Sequence, residues 1–247
     1  MTYKDYSSMG GDASTPGIHE DQMKQYETIY EDADILVVNK LGAMPVQKDK
    51  SGDTALQDLI KEERADCAAF LEAAHRIDRR TSGILVFARN HAALAALDEA
   101  FRERRIAKTY IACVEREPQP ESGVLIHAIV TDTKRNISIA LDLSKVGSRK
   151  VAKAELAYAL VSKTDRYFFV KAEPVTGRHH QIRAQFAAMG WPIKGDLKYG
   201  ARRSSASGRI MLHSWKLSLP HPRTGVLLEL TATPPDDETL WKVFAAI

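Results

Sequence analysis

Cysteine is nearly absent: Cys67 and Cys113 are the only two in 247 residues. They have neither the paired spacing of a zinc site nor the number a disulfide framework needs, so both are expected to be reduced and structural. No apolar run approaches the length of a bilayer-spanning helix, which excludes that kind of membrane protein. The first 25 residues carry Gly, Ser and acidic side chains in place of a basic start and an apolar stretch, unlike a signal or transit peptide. They are expected to form a short disordered tail of a cytoplasmic protein. Internal repeats and low-complexity linkers are missing, and no histidines and acids stand at metal-ligand spacing. What remains is a soluble composition, 44% apolar and 27% charged, expected to fold as one catalytic domain over residues 26–247 with no metal.

Charge of either sign is nearly balanced, at +3 overall, so net charge alone does not argue for a nucleic-acid partner. Its distribution does. Arg102, Arg104, Arg105 and Lys108 form one basic group; Lys145, Arg149, Lys150 and Lys153 a second; Lys194, Lys198, Arg202, Arg203 and Arg209 a third. Three such groups beside other unusual residues point to phosphate contact.

The local patterns read as follows. DILVVNK from Asp34 is a short buried strand, followed by a turn containing Gly42 and Pro45. Thr54 and Gln57 match a capping box before Leu56, Leu59 and Ile60, predicting a helix of two to three turns. Gly83 to Ala88 is a strand, and Asn90 caps a second helix with the stripe Leu94, Leu97, Phe101. Strands follow from Ile106, Val124, Asn136, Ala154 and Arg166. After Thr176 and Gly177 a helix carries Ile182, Phe186 and Met189 and stops at Gly190. Strands from Ile210 and Val226 precede a C-terminal helix carrying Leu240, Val243 and Phe244. Without regular alternation of strand and helix, the class is α+β around a mixed, largely antiparallel sheet with flanking helices.

The chemistry concentrates in HRIDRRTSGILVFAR, His75 to Arg89, where one carboxylate, Asp78, stands among three arginines in a loop entering a strand. Arg76, Arg79 and Arg80 are expected to keep Asp78 ionised and to attract an anionic substrate, and a strand start holds a side chain rigidly. An arginine forked onto such a carboxylate would offset its desolvation, a part Arg183 could take. Tyr110, on a neighbouring strand, offers a flat face for a nucleobase. Taken singly, Asp78 could equally be a turn former, Tyr110 a packing residue and Arg183 a surface charge. A paired-carboxylate glycosidase would need a second acid; Glu155, Glu173 and Asp196 are available, and the spacing singles out none.

These residues resemble the HRLD-x-x-TSG signature of the RluA-like branch of the RNA pseudouridine synthases. ILVVNKLGAMPVQ, AKTYIACV, TGRHHQIRAQF, GDLKYGA and MLHSWKLSLPHP agree in order, so the similarity runs from Tyr26 to the C-terminus. The resemblance implies isomerisation of uridine to pseudouridine in ribosomal or transfer RNA, without cofactor. The base is cut from the ribose, rotated and rejoined through carbon 5; whether the aspartate attacks ribose or base, or abstracts a ribose proton, is left open. It makes Asp78 the catalytic aspartate, Tyr110 the ring against the target base and Arg183 the basic partner. Arg76 would enter the RNA where the uridine has left, and Arg79, Thr81, Lys108, Arg178, His180, Gln181 and Lys198 would contact RNA. Ile77 for Leu, His179 for Thr or Lys, Ala184-Gln185 for Val-His and Ser214 for Ala are departures that remove no catalytic group. The tail is too short for the accessory RNA-binding domain of some members. A monomer is favoured, though the sequence does not fix the oligomeric state. The rival from another class is an RNA-binding module that has lost turnover.

Overall fold

The structure, a computed structural model, describes residues 24–147, 151–236 and 238–245. The expected tail lies mostly outside the described residues, as do Arg149 and Lys150 of the second basic group.

The first half of the chain runs β1 (Tyr26–Glu31), β2 (Ile35–Lys40), α1 (Leu56–Glu63), β3 (Glu72–Ala73), β4 (Ser82–Ala88), α2 (His91–Arg102), β5 (Ala107–Val114) and β6 (Ser122–Asp132). The second continues with β7 (Ile137–Leu141), β8 (Ala152–Lys163), β9 (Phe168–Pro174), α3 (Gln181–Ala188), β10 (Leu212–Pro220), β11 (Leu227–Thr231) and α4 (Thr239–Ala245). The eleven strands of the described residues join one sheet in the order β1-β2-β4-β10-β5-β9-β8-β6-β7, with β3 beside β4 and β11 beside β10. Every pairing is antiparallel except β10 with β4. The expected α+β class with a mixed, largely antiparallel sheet is what forms.

The period of two explains the layers around the start of the sheet. Ile35 and Val37 of β2, with Ile84 and Val86 of β4, face α2 and its buried Ala93, Leu97 and Ala100. Leu36, Val38, Leu85 and Phe87 point the other way, onto Leu56 and Ile60 of α1. Strands covered on both faces read as unbroken apolar runs, as these do. A larger core joins Ile111, Leu156, Phe169, Ile182, Phe186, Trp191 and Trp241 between the sheet, α3 and α4. Cys67 and Cys113 are buried and unpaired.

The one parallel pairing fixes the chain just after the signature aspartate. There β4 meets β10 at Ser82 opposite His213 and Gly83 opposite Ser214. Gly83 has φ +110°, and a Cβ on it would lie 2.2 Å from the Ser214 carbonyl oxygen. No other residue allows that approach.

Several local expectations need correction. The capping box does not form: Ala55 is the N-cap of α1 without a side-chain cap. Backbone carbonyls of Pro45 and Val46 take the first N–H groups instead, and the Gln57 amide donates to Glu72. The box lost because the preceding chain already supplies acceptors. Asn90 does cap α2, accepting from the Ala93 N–H at 2.8 Å. Met189 and Val243 are exposed, and Trp241 is the residue that buries α4. α3 starts only at Gln181, because His180 before it is left-handed at φ 51°.

Candidate active site

Asp78 occupies the loop between β3 and β4, closed by a turn in which its carbonyl accepts from the Thr81 N–H at 2.9 Å. Ile77 anchors that loop in the core shared with α1. The Asp78 side chain keeps 24% exposure, so it is held yet reachable.

The three neighbouring arginines do not pair with it, contrary to the expectation from their spacing. Arg79 reaches Asp53 at 2.5 Å, and Arg80 donates to the Gly208 carbonyl at 2.5 Å. Arg76 is exposed and makes no hydrogen bond or ion pair with the described residues. Consecutive residues in a turn fan outward, so nearness in sequence does not aim them at one oxygen.

Arg183 reaches Asp78 from 105 positions away, its Nη1 donating to Oδ2 at 2.9 Å. Its other edge is gripped by Asp196: Nε to Oδ2 at 2.7 Å and Nη2 to Oδ1 at 2.8 Å. Asp196 is wholly enclosed, and Arg183 is 5% exposed. Burial disfavours the guanidinium, but the bonds from both carboxylates outweigh it and hold the charge firmly. The Tyr199 ring covers the guanidinium at 4.7 Å. Arg183 is thus a fixed donor that turns its free Nη1 corner to Asp78.

Tyr110 lies on β5 opposite Ala172 of β9 and Ser214 of β10, packed against both central cores. Burial pushes its phenol up to about 12, with the Asp78 charge adding, so the ring is neutral and close to the carboxylate. His180 closes another side, its Nε2 3.8 Å from Asp78 Oδ2. Burial holds the His179 imidazole below its ordinary range, and the charges of Arg183, Arg76 and Lys198 act in the same sense. Arg183 and His180 therefore meet at Asp78, and Tyr110 stands near enough to feel its charge.

The remaining expected contacts are placed less directly. Thr81 and Gln181 are enclosed. Gln181 accepts from the Thr176 hydroxyl at 2.8 Å and the Arg178 N–H at 3.0 Å, so it braces the loop. Arg178 is exposed, with Nε donating to the Lys153 carbonyl at 3.3 Å. Lys108 is half-buried, its ammonium 5.9 Å from the Phe101 ring centre. Of the third basic group, Lys194 pairs with Glu238 at 3.3 Å and Arg209 donates to the Leu41 carbonyl, so neither is offered to solvent as expected. None of the three acids considered for a glycosidase is free: Asp196 is bound to Arg183, Glu155 lies 3.5 Å from Lys153, and Glu173 lies 3.2 Å from Lys171.

Besides Tyr199, two groups escaped the sequence reading. Asp196, the clamp on Arg183, had only been counted among spare acids. Lys40, at the end of β2, is fully buried and donates to the carbonyls of Gly42 at 2.6 Å and Arg79 at 2.8 Å. Burial, then the charges of Arg209 and Arg79, pushes its pKa down to about 7 against the opposing pull of Asp78. It ties the residue after Asp78 to the sheet. A lysine closing an apolar strand normally reads as an exposed end.

A part-exposed carboxylate held by a clamped arginine, beside a neutral aromatic ring and exposed cations on this sheet, fits an RNA-modifying isomerase. The family model described as RNA pseudouridylate synthase matches residues 34–188. The chain belongs to that family, in its RluA-like branch, and is an enzyme that converts uridine to pseudouridine in RNA. It is 36% identical over 210 residues to the dual-specificity RNA pseudouridine synthase RluA of Haemophilus influenzae, covering 83% of this chain and 92% of the relative. It is 32% identical over 227 residues to the ribosomal large subunit pseudouridine synthase C of Pasteurella multocida, covering 90% and 68%. Human RNA pseudouridylate synthase domain containing 1 superposes with a TM-score of 0.68 at 27% identity, over 85% of this chain and 83% of that one.

Proposed function

We propose that this enzyme isomerises a uridine of ribosomal or transfer RNA in the cytoplasm, with Asp78 as the reacting carboxylate. Uridine and pseudouridine are isomers, so the balance needs no co-reactant: the bond from ribose C1′ to N1 breaks, one to C5 forms, C5 gives up a proton and N1 gains one. The single observation that carries the assignment is the wiring of Arg183, gripped along its Nε–Nη2 edge by Asp196 and offering Nη1 to Asp78 at 2.9 Å. Such a donor orients a carboxylate without motion at the moment of reaction.

In this reading the target base leaves the stack at a cost of a few kcal/mol and lies against Tyr110, stacking being worth about 1–3 kcal/mol. Arg76, exposed and without a partner among the described residues, enters the vacated position. Arg178, Lys198, Arg79 and Lys108 meet phosphates, while Thr81 and Gln181 brace the site from within. The surface of residues 26–247, acting as a monomer, contributes to target choice.

The test is a turnover assay of the purified protein on large-subunit ribosomal RNA and on transfer RNA, reading pseudouridine by mass spectrometry. Product in either RNA is expected. Binding to both without product would favour the module that has lost turnover.

A further inference from the structure

Beside Asp78 lies a hydrogen-bond chain whose direction is fixed by what each member can donate. The backbone N–H of Ser138, on β7, lies 2.7 Å from the Tyr199 hydroxyl oxygen. A backbone N–H can only donate, so that oxygen accepts there. The single phenolic hydrogen is left for the other neighbour, His180 Nδ1, at 2.9 Å. Nδ1 therefore accepts, and the ring proton of the neutral imidazole sits on Nε2. That nitrogen faces Asp78 Oδ2 at 3.8 Å. Burial keeps the imidazole neutral, pushing its pKa down to about 3 despite the Asp78 charge.

The surroundings suit a device that acts on Asp78. Tyr199 ends a short turn, Leu197–Tyr199, that begins next to Asp196, so one segment carries both the clamp on Arg183 and the hydroxyl on His180. Its ring also covers the Arg183 guanidinium. His180 is 9% exposed and held left-handed, a conformation disfavoured for a residue of its size and kept only where the surroundings impose it. Among the described residues, the donors that approach Asp78 converge on Oδ2, and Oδ1 accepts from none.

We propose that Tyr199 and His180 form a positioning pair: the Tyr199 hydroxyl locks His180 in its Nε2–H tautomer, and that hydrogen closes onto Asp78 Oδ2 when RNA fills the site, leaving Oδ1 as the oxygen that reacts. The proposal rests on Asp78 being the reacting carboxylate. A neutral donor suits the task because it fixes the direction of the carboxylate without adding a second positive charge that would blunt its reactivity. Arg183 supplies the charge, and His180 supplies the angle.

Tyr199→Phe isolates the idea, since the ring stays on Arg183 and only the hydroxyl goes. Its kcat is expected to fall about five- to tenfold, the worth of one hydrogen bond, with KM for RNA unchanged. Nitrogen NMR of labelled histidine should show pure Nε2–H at His180 in the parent enzyme and a mixture of tautomers in the variant. His180→Gln, which can place an amide N–H near the Nε2 position, should keep more of the rate than His180→Met, similar in length without a donor. An unchanged kcat and tautomer in Tyr199→Phe would overturn the pair, as would equal rates for Gln and Met at position 180. Should Asp78→Asn in parallel retain turnover, the underlying assignment fails instead, whatever Tyr199 shows.

Discussion

Two regions of this molecule hold almost the same residue types and do different things. At the Asp78 site, two aspartates, an arginine, a histidine and a tyrosine meet. Beside a surface cavity of about 380 Å³, so do Asp32, Asp34, Arg223, His221 and Tyr30. The difference lies in how completely the carboxylates are used. Asp32 accepts from the N–H groups of Asp34 and Ile35 on one oxygen, and from Tyr30 and His221 on the other. Burial alone would raise its pKa, but those four bonds bring it down to about 2. Asp34 likewise accepts from Arg223 at 2.6 Å and Asn90 at 3.0 Å. Both carboxylates are latched from several sides, fastening the β1–β2 turn to the loop after β10. Asp78 has one hydrogen bond and an oxygen to spare. On the proposed reading, saturation marks a structural carboxylate and incompleteness a reacting one.

Exchanging the comparison's two aspartates for asparagine should break it most visibly. Asp78→Asn is expected to lower kcat by about 10³-fold or more with unfolding unchanged. Asp32→Asn should leave kcat within about twofold and cost about 2 kcal/mol of stability, measured by urea unfolding.

Arg183→Met should reduce turnover at least about a hundredfold and also cost about 3–5 kcal/mol, because it strands buried Asp196 without a partner. Adding Asp196→Asn should recover much of the stability and none of the rate. Recovery of both would mean that Arg183 matters only for folding.

Acid acts on the buried imidazoles. His213 donates through Nε2 to the Ala232 carbonyl at 3.1 Å and accepts from Ser82 at 2.8 Å, and burial pushes its pKa down to about 4. The unfolded chain takes up this proton near pH 6.5 while the folded chain refuses it until about pH 4, so stability is full above 6.5 and is lost as pH falls through that window. His213 alone should cost about 2 kcal/mol between pH 7 and 5, at 1.36 kcal/mol per unit, measured by thermal melts. The Asp32 latch, lowered to about 2, stays closed throughout that range.

Most strands could be read from the chain because β2 and β4 are covered on both faces and their apolar runs are unbroken. β1 was missed: YETIYE is largely exposed and offers no alternating face. The α1 cap was misread because Thr54 and Gln57 compete with Pro45 and Val46 carbonyls that only the fold brings near. At the site, Asp78, Tyr110 and Arg183 were legible through ordered motifs. Asp196, Tyr199 and Lys40 were not assigned roles, since their partners stand 13, 19 and 39 positions away and no periodicity links them. Arg76, Arg79 and Arg80 show the converse, neighbours in sequence that part in space.

The central claim is that the Asp78 carboxylate performs the reaction, and single turnover with Asp78→Asn in excess over RNA tests it most directly, because binding is then saturated and only chemistry is read. No pseudouridine should form over many wild-type half-times, with RNA affinity and melting temperature at the wild-type values. Product at a rate within about tenfold of wild type would contradict the account.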